Sequence, residues 1–134
     1  MNKPTTPFEI FGGQEAVAAI VQRFYDLVES DPAYAELHAM HKRDLGPVRE
    51  SLTGFLTGWL GGPRDWFAKG GCVMSAHRPL DITPEVTEQW IAAMKRAVIE
   101  TPLPDRDLSL KMAEALGDMA KGMVNRHAPA AATA

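Results

Sequence analysis

Apolar residues return every three or four positions along most of the chain, the spacing that gathers them on one face of a helix. The first long run spans 14–30, with Val17, Ile20, Val21, Phe24, Leu27 and Val28 on a common face and Tyr25 at its edge. Ahead of it, Phe8 to Phe11 forms one short apolar turn, closed by Gly12 and Gly13, where glycine permits the positive φ that ends a helix. Asp31-Pro32 closes the long run, because the residue before a proline is pushed out of the helical region. A short helix over 33–40 follows, with Tyr34, Leu37 and Met40 inward or at its edge, and His38 and His41 flank its end. Pro47 suits the first position of the next helix, which runs to Leu60 with Val48, Leu52, Phe55, Leu56 and Trp59 on one side. Gly61-Gly62-Pro63 stops it.

The second half continues in the same period. Asp65-Trp66-Phe67 starts a further helical turn, Lys69-Gly70-Gly71 reads as a flexible loop, and 72–77 is a short helical piece ending in His77. Arg78 to Ile82 is extended. Thr83-Pro84-Glu85 is a clear helix start: a capping hydroxyl, proline at the first helical position and an acid in the first turn. The helix it opens, to about Thr101, buries Val86, Trp90, Met94, Ala97 and Val98. Pro102 and Pro104 separate it from a last helix over 105–124, striped by Leu108, Met112, Leu116, Met119 and Met123. No stretch alternates like a strand for more than a few residues, and there is no internal repeat. The reading is all-α, with four substantial helices and short connecting ones.

Composition narrows the function classes. The 134 residues make one domain, 1–134, with 1–7 as a flexible arm and 127–134 as a disordered tail that has nothing to bury. A chain of this size buries about two-thirds of its unfolded surface without needing disulfides. Fourteen basic residues against 17 acidic, net −3, supply no basic stripe for nucleic acid. The single cysteine, Cys72, excludes an internal disulfide and a cysteine-based zinc cluster, and it suits a reducing compartment. No apolar stretch approaches the roughly 20 residues of a membrane span, and no signal-peptide pattern opens the chain. The expectation is a cytoplasmic protein with neither nucleic acid nor membrane as partner.

Two features are odd for a plain bundle. Residues 71–80 hold too little regular structure for their central place, and Tyr25, His41, His77 and Trp90 bring polar groups to the edges of apolar stripes. A histidine at the end of a short helix, held by loops on both sides, can point a ring nitrogen between longer helices, as an axial haem ligand does. Alone the signal is weak, since a lone histidine before Arg78-Pro79 is ordinarily solvent-facing.

The residues taken together resemble the truncated globins, specifically their second group. The resemblance runs from Phe8 to about Asn125 and is carried by Gly12-Gly13, Arg23-Phe24-Tyr25, Met40-His41 through Asp44-Leu45, Phe55 to Pro63, Ala76-His77, Ile82, and Gln89-Trp90 with Met94. His77 and Trp90 stand 13 residues apart, as in that family. The family fold is a two-over-two helical sandwich around b-type haem. The resemblance implies that His77 is the proximal iron ligand and that Tyr25, His41 and Trp90 hold an iron-bound ligand by hydrogen bonds. Val48 and Leu52 match distal-helix positions facing that ligand, and both are apolar here; Phe55 and Met94 complete the implied haem contacts. The chain departs from the family pattern before His77, where the loop is two residues shorter and Ala76 replaces a basic residue. His41 fills a place often held by tyrosine or phenylalanine, with Met40 the alternative alignment.

Donors are what bound O₂ needs, because it carries partial negative charge. The Trp90 indole N–H and the Tyr25 hydroxyl both donate, and His41 does so in the right tautomer. The leading expectation is a haem protein that binds O₂ and other diatomic gases (NO, CO) reversibly. A second expectation uses the same pocket for redox catalysis, as a nitric oxide dioxygenase or a peroxidase-like enzyme. Having no flavin or nicotinamide fingerprint, it would draw electrons from a separate reductase. The bland alternative, a helical interaction module without cofactor, treats Tyr25 and Trp90 as amphipathic packing and His41 as a solvated helix-end residue.

Overall fold

Among the described residues, four of the helical elements open on a side chain that caps them. The computed structural model describes residues 6–40, 46–71 and 82–124. Thr6 accepts the Glu9 N–H at 3.2 Å and opens α1 (Pro7–Phe11). Asp31 accepts the Ala33 N–H at 2.9 Å and opens the 3-10 turn Pro32–Tyr34. Thr83 caps Val86 at 3.2 Å, opening α6 (Pro84–Glu100), and Asp105 caps Leu108 at 2.9 Å, opening α7 (Arg106–Lys121). Each cap satisfies one N–H that the first helical turn leaves without a partner. Between these lie α2 (Gly13–Ser30), α3 (Ala35–Met40), α4 (Gly46–Trp59) and α5 (Asp65–Ala68). No strand occurs among the described residues.

Packing sorts the long helices into two pairs. α2 lies on α4, α6 lies on α7, and α2 also crosses α6, so the pairs stack two over two. The apolar stripes meet in one cluster, with Phe11, Val17, Ile20, Phe24, Leu37, Ala93 and Ala97 fully buried. α1 bridges α2 and α7, and the Phe8 N–H donates to the Leu60 carbonyl at 2.8 Å, fastening the start of the fold to the end of α4. Gly61 sits there at φ 99°, a turn a side chain would strain. Further along, Gly58 lets α5 close on α4: a Cβ at that position would stand 2.6 Å from the Phe67 ring.

The helical periods located these elements well, with differences at the edges. Tyr25, expected at the rim of its stripe, is 3% exposed and belongs to the core. α7 ends at Lys121, where Gly122 follows, so Met123 lies past the helix it was expected to extend. The expected helix over 33–40 begins instead with the 3-10 turn. At the far end of α2, Arg96 pairs with Asp31 and Glu100, each at 2.6 Å, and Arg23 pairs with Glu100. The Ala33 N–H and then Arg96 hold the Asp31 carboxyl below its usual range; Arg23 and then Arg96 do the same for Glu100. Among the described residues no helix is long and apolar enough to cross a membrane. The short helix expected over 72–77 and the tail expected over 127–134 lie outside the described residues.

Candidate functional site

The apolar period of α2 inserts Phe24 and Tyr25 side by side into the core, and their rings meet edge to face at 4.8 Å and 79°. The Phe24 ring also lies 5.4 Å from the Trp90 ring on α6. One phenylalanine therefore brings together the two polar aromatics that the sequence marks as donors. Trp90 is half-buried, and Met94, one turn further along α6, is 1% exposed. On α4, Val48, Leu52 and Phe55 fall on one face; the first two are half-buried and Phe55 is buried, and all three pack on the same cluster. Six of the eight sequence-marked residues thus share one apolar body. The other two, His77 and His41, lie outside the described residues; Met40, the alternative to His41, is half-buried at the end of α3 and packs on the cluster.

The shape between the helices bears on what this body can hold. α4 and α6 both pack on α2 but make no extensive contact with each other among the described residues. They carry half-buried Val48, Leu52 and Trp90. These partly uncovered apolar side chains lie on the same cluster as the phenol of Tyr25 and the indole of Trp90. By contrast, an open groove of about 460 Å³ lined by Val21, Gln22, Arg49, Thr53, Asp65 and Trp66 runs along α2 and α4, and no described candidate residue lines it. Among the described residues no cluster of three or more His, Cys, Asp or Glu could hold a bare metal ion.

Burial decides the charge state of Tyr25. Desolvation pushes its phenol well above the ordinary range, and the Arg49 cation only partly offsets this. Burial therefore favours the neutral phenol, the form that carries an O–H able to donate.

Three contacts around these residues were not assigned from sequence. Arg49, one residue after Val48, places its guanidinium 5.5 Å from the centre of the Tyr25 ring. Gln89, beside Trp90, accepts the Leu37 N–H at 3.0 Å and so ties the start of α3 to α6. Phe24 was read as ordinary core, yet its ring joins Tyr25 to Trp90. A hydrophobic-period reading assigns none of these roles: Arg49 and Gln89 are polar, and the bridging role of Phe24 depends on a second helix.

Known proteins share this architecture. The sequence profile described as "Bacterial-like globin" matches residues 6–125. A group 1 truncated hemoglobin of Chlamydomonas moewusii is 35% identical over 98 residues, 71% of this chain and 54% of that protein, so the chain spans about half the length of that relative. A group 2 truncated hemoglobin of Bacillus subtilis is 33% identical over 94 residues, 69% of this chain and 68% of that protein. The solved group II 2-on-2 hemoglobin of Agrobacterium tumefaciens superposes with a TM-score of 0.86 at 29% identity, over 95% of this chain and 98% of that one.

Proposed function

Since this chain belongs to the bacterial-like globin family, among the truncated haemoglobins of group II, we propose that it carries b-type haem on His77 and binds O₂ and other diatomic gases beneath Tyr25, His41 and Trp90. Membership itself implies haem and diatomic gases; the ligand set and the preference for O₂ are the proposal. Haem iron, when bound, supplies the open position at which a diatomic molecule is taken up. The observation that carries the reading is the juxtaposition of Tyr25 and Trp90 on the Phe24 ring.

Each side chain then has a task. His77 matches the proximal position by its place 13 residues before Trp90. Val48, Leu52, Phe55 and Met94 give the apolar contact that keeps water away. Tyr25 donates as a neutral phenol, and its burial opposes the phenolate that would bind ferric iron instead. Trp90 has only an N–H to donate, and it cannot compete for the metal. His41 donates beside them, the apolar α4 face offering no donor of its own.

The test is O₂ dissociation from the ferrous protein. One hydrogen bond contributes about 1 kcal/mol, so Tyr25→Phe and Trp90→Phe should each speed escape about fivefold. Unchanged rates in both variants would remove these donors from the site.

A further inference from the structure

Arg49 leaves α4 about 100° round the helix from Val48, on the side that meets α2 rather than with the apolar pair Val48 and Leu52. Its guanidinium donates to the Gln22 side-chain oxygen at 2.9 Å, the Gln22 carbonyl at 3.4 Å, Glu29 at 3.2 Å and Asp26 at 3.4 Å. Those three residues flank Tyr25 on α2, three positions before, one after and four after it. The Gln22 amide donates in turn to Asp26 at 3.2 Å. Asp26 and Glu29 are 45% exposed, so the ion pairs themselves contribute little, but the Arg49 side chain is only 21% exposed and stands over an aromatic face. The Tyr25 ring is thus held by the Phe24 edge at 4.8 Å and by the Arg49 cation at 5.5 Å.

We propose that Arg49 is a positioning residue of the gas site: it holds the Tyr25 ring by its face, fixes the seat of α4 on α2, and so sets how well Tyr25 donates. The proposal rests on the haem-globin reading above. A cation near the ring stabilises electron density shifted toward the phenol oxygen and so strengthens the O–H as a donor, against the effect of burial. The carboxylates and amide oxygens around the guanidinium keep it there.

The experiment is a double-mutant cycle on O₂ escape. Arg49→Met in the otherwise native chain should speed escape about fivefold, the effect of losing one partly buried cation–aromatic contact. In the Tyr25→Phe background the same substitution should change escape by less than about twofold, since the group it acts through is gone. Arg49→Lys, which keeps the charge but not the fork, should fall between and guards against misfolding of the methionine variant. A second readout needs no gas: with Tyr34→Phe, a carbon-13 ring label reports Tyr25 alone, because the chain has two tyrosines. That signal, read on the full chain as purified, should shift in Arg49→Met. Equal acceleration in both backgrounds, or a Tyr25 signal indifferent to Arg49→Met, overturns the proposal. A chain that takes up no haem overturns the functional reading and the effect on escape with it. A Tyr25 signal still moved by Arg49→Met then shows that the failure lies in that reading and not in the contact.

Discussion

Tyr25 shows how much one side chain's surroundings decide. Burial raises its pKa above the ordinary range while Arg49 pulls the other way. A group raised in the folded state gives its full stabilisation below its unfolded pKa and loses it as pH climbs toward the folded value. Stability should therefore decline from about pH 10 upward, and Tyr25→Phe should lack that part of the decline. Urea melts of both proteins at neutral and alkaline pH measure it; identical alkaline losses would mean the phenol is not buried as described. The sequence brought Tyr25 to the right helix and named it as a donor, but put it at the rim of its stripe. Counting apolar neighbours on α2 misses the cover that Arg49 supplies from α4 and Phe24 from next door. The helix that carries Tyr25 was legible here; its burial needed the partner helix.

At the scale of elements, the helices were legible because capping residues and prolines mark their starts and the apolar period marks their faces. What the period does not carry is how closely elements approach. Gly58 admits the Phe67 ring so near that a Cβ would stand 2.6 Å from it. Gly58→Ala gains up to about 1 kcal/mol in helix propensity but overpacks the contact at a cost of about 1–3 kcal/mol. The net prediction is a lower melting temperature and a displaced Phe67; a higher melting temperature would show that α5 yields freely. The link between the end of α2 and α6 is polar and equally invisible to periodicity. The Asp31 carboxyl is depressed by the Ala33 N–H and by Arg96, so its contribution is present above the ordinary carboxylate pKa and is lost as pH falls through the depressed value. Asp31→Asn should thus be less stable than the native chain near neutrality, with the gap closing in acid. A gap independent of pH would contradict that linkage.

For the whole molecule, the all-α class followed from local pattern, whereas the pairing of α2 with α4 and α6 with α7 did not. Periodicity gives each helix a sticky face and leaves open which faces meet; the two-over-two arrangement was legible only through the resemblance carried by Arg23-Phe24-Tyr25, the Phe55–Pro63 stretch and the interval from His77 to Trp90. The fold and the family relatives agree with it. Of the residues marked from sequence, Tyr25, Val48, Leu52, Phe55, Trp90 and Met94 lie on one apolar body, and His77 and His41 fall outside the described residues. The central claim is therefore that this body holds haem through His77. It is tested most directly by the visible absorption of the purified chain supplied with haem, native against His77→Gly, with and without added imidazole. The account predicts a strong Soret band in the native protein, its loss or marked weakening in His77→Gly, and recovery when imidazole replaces the missing side chain. A native spectrum retained by His77→Gly without imidazole would contradict it.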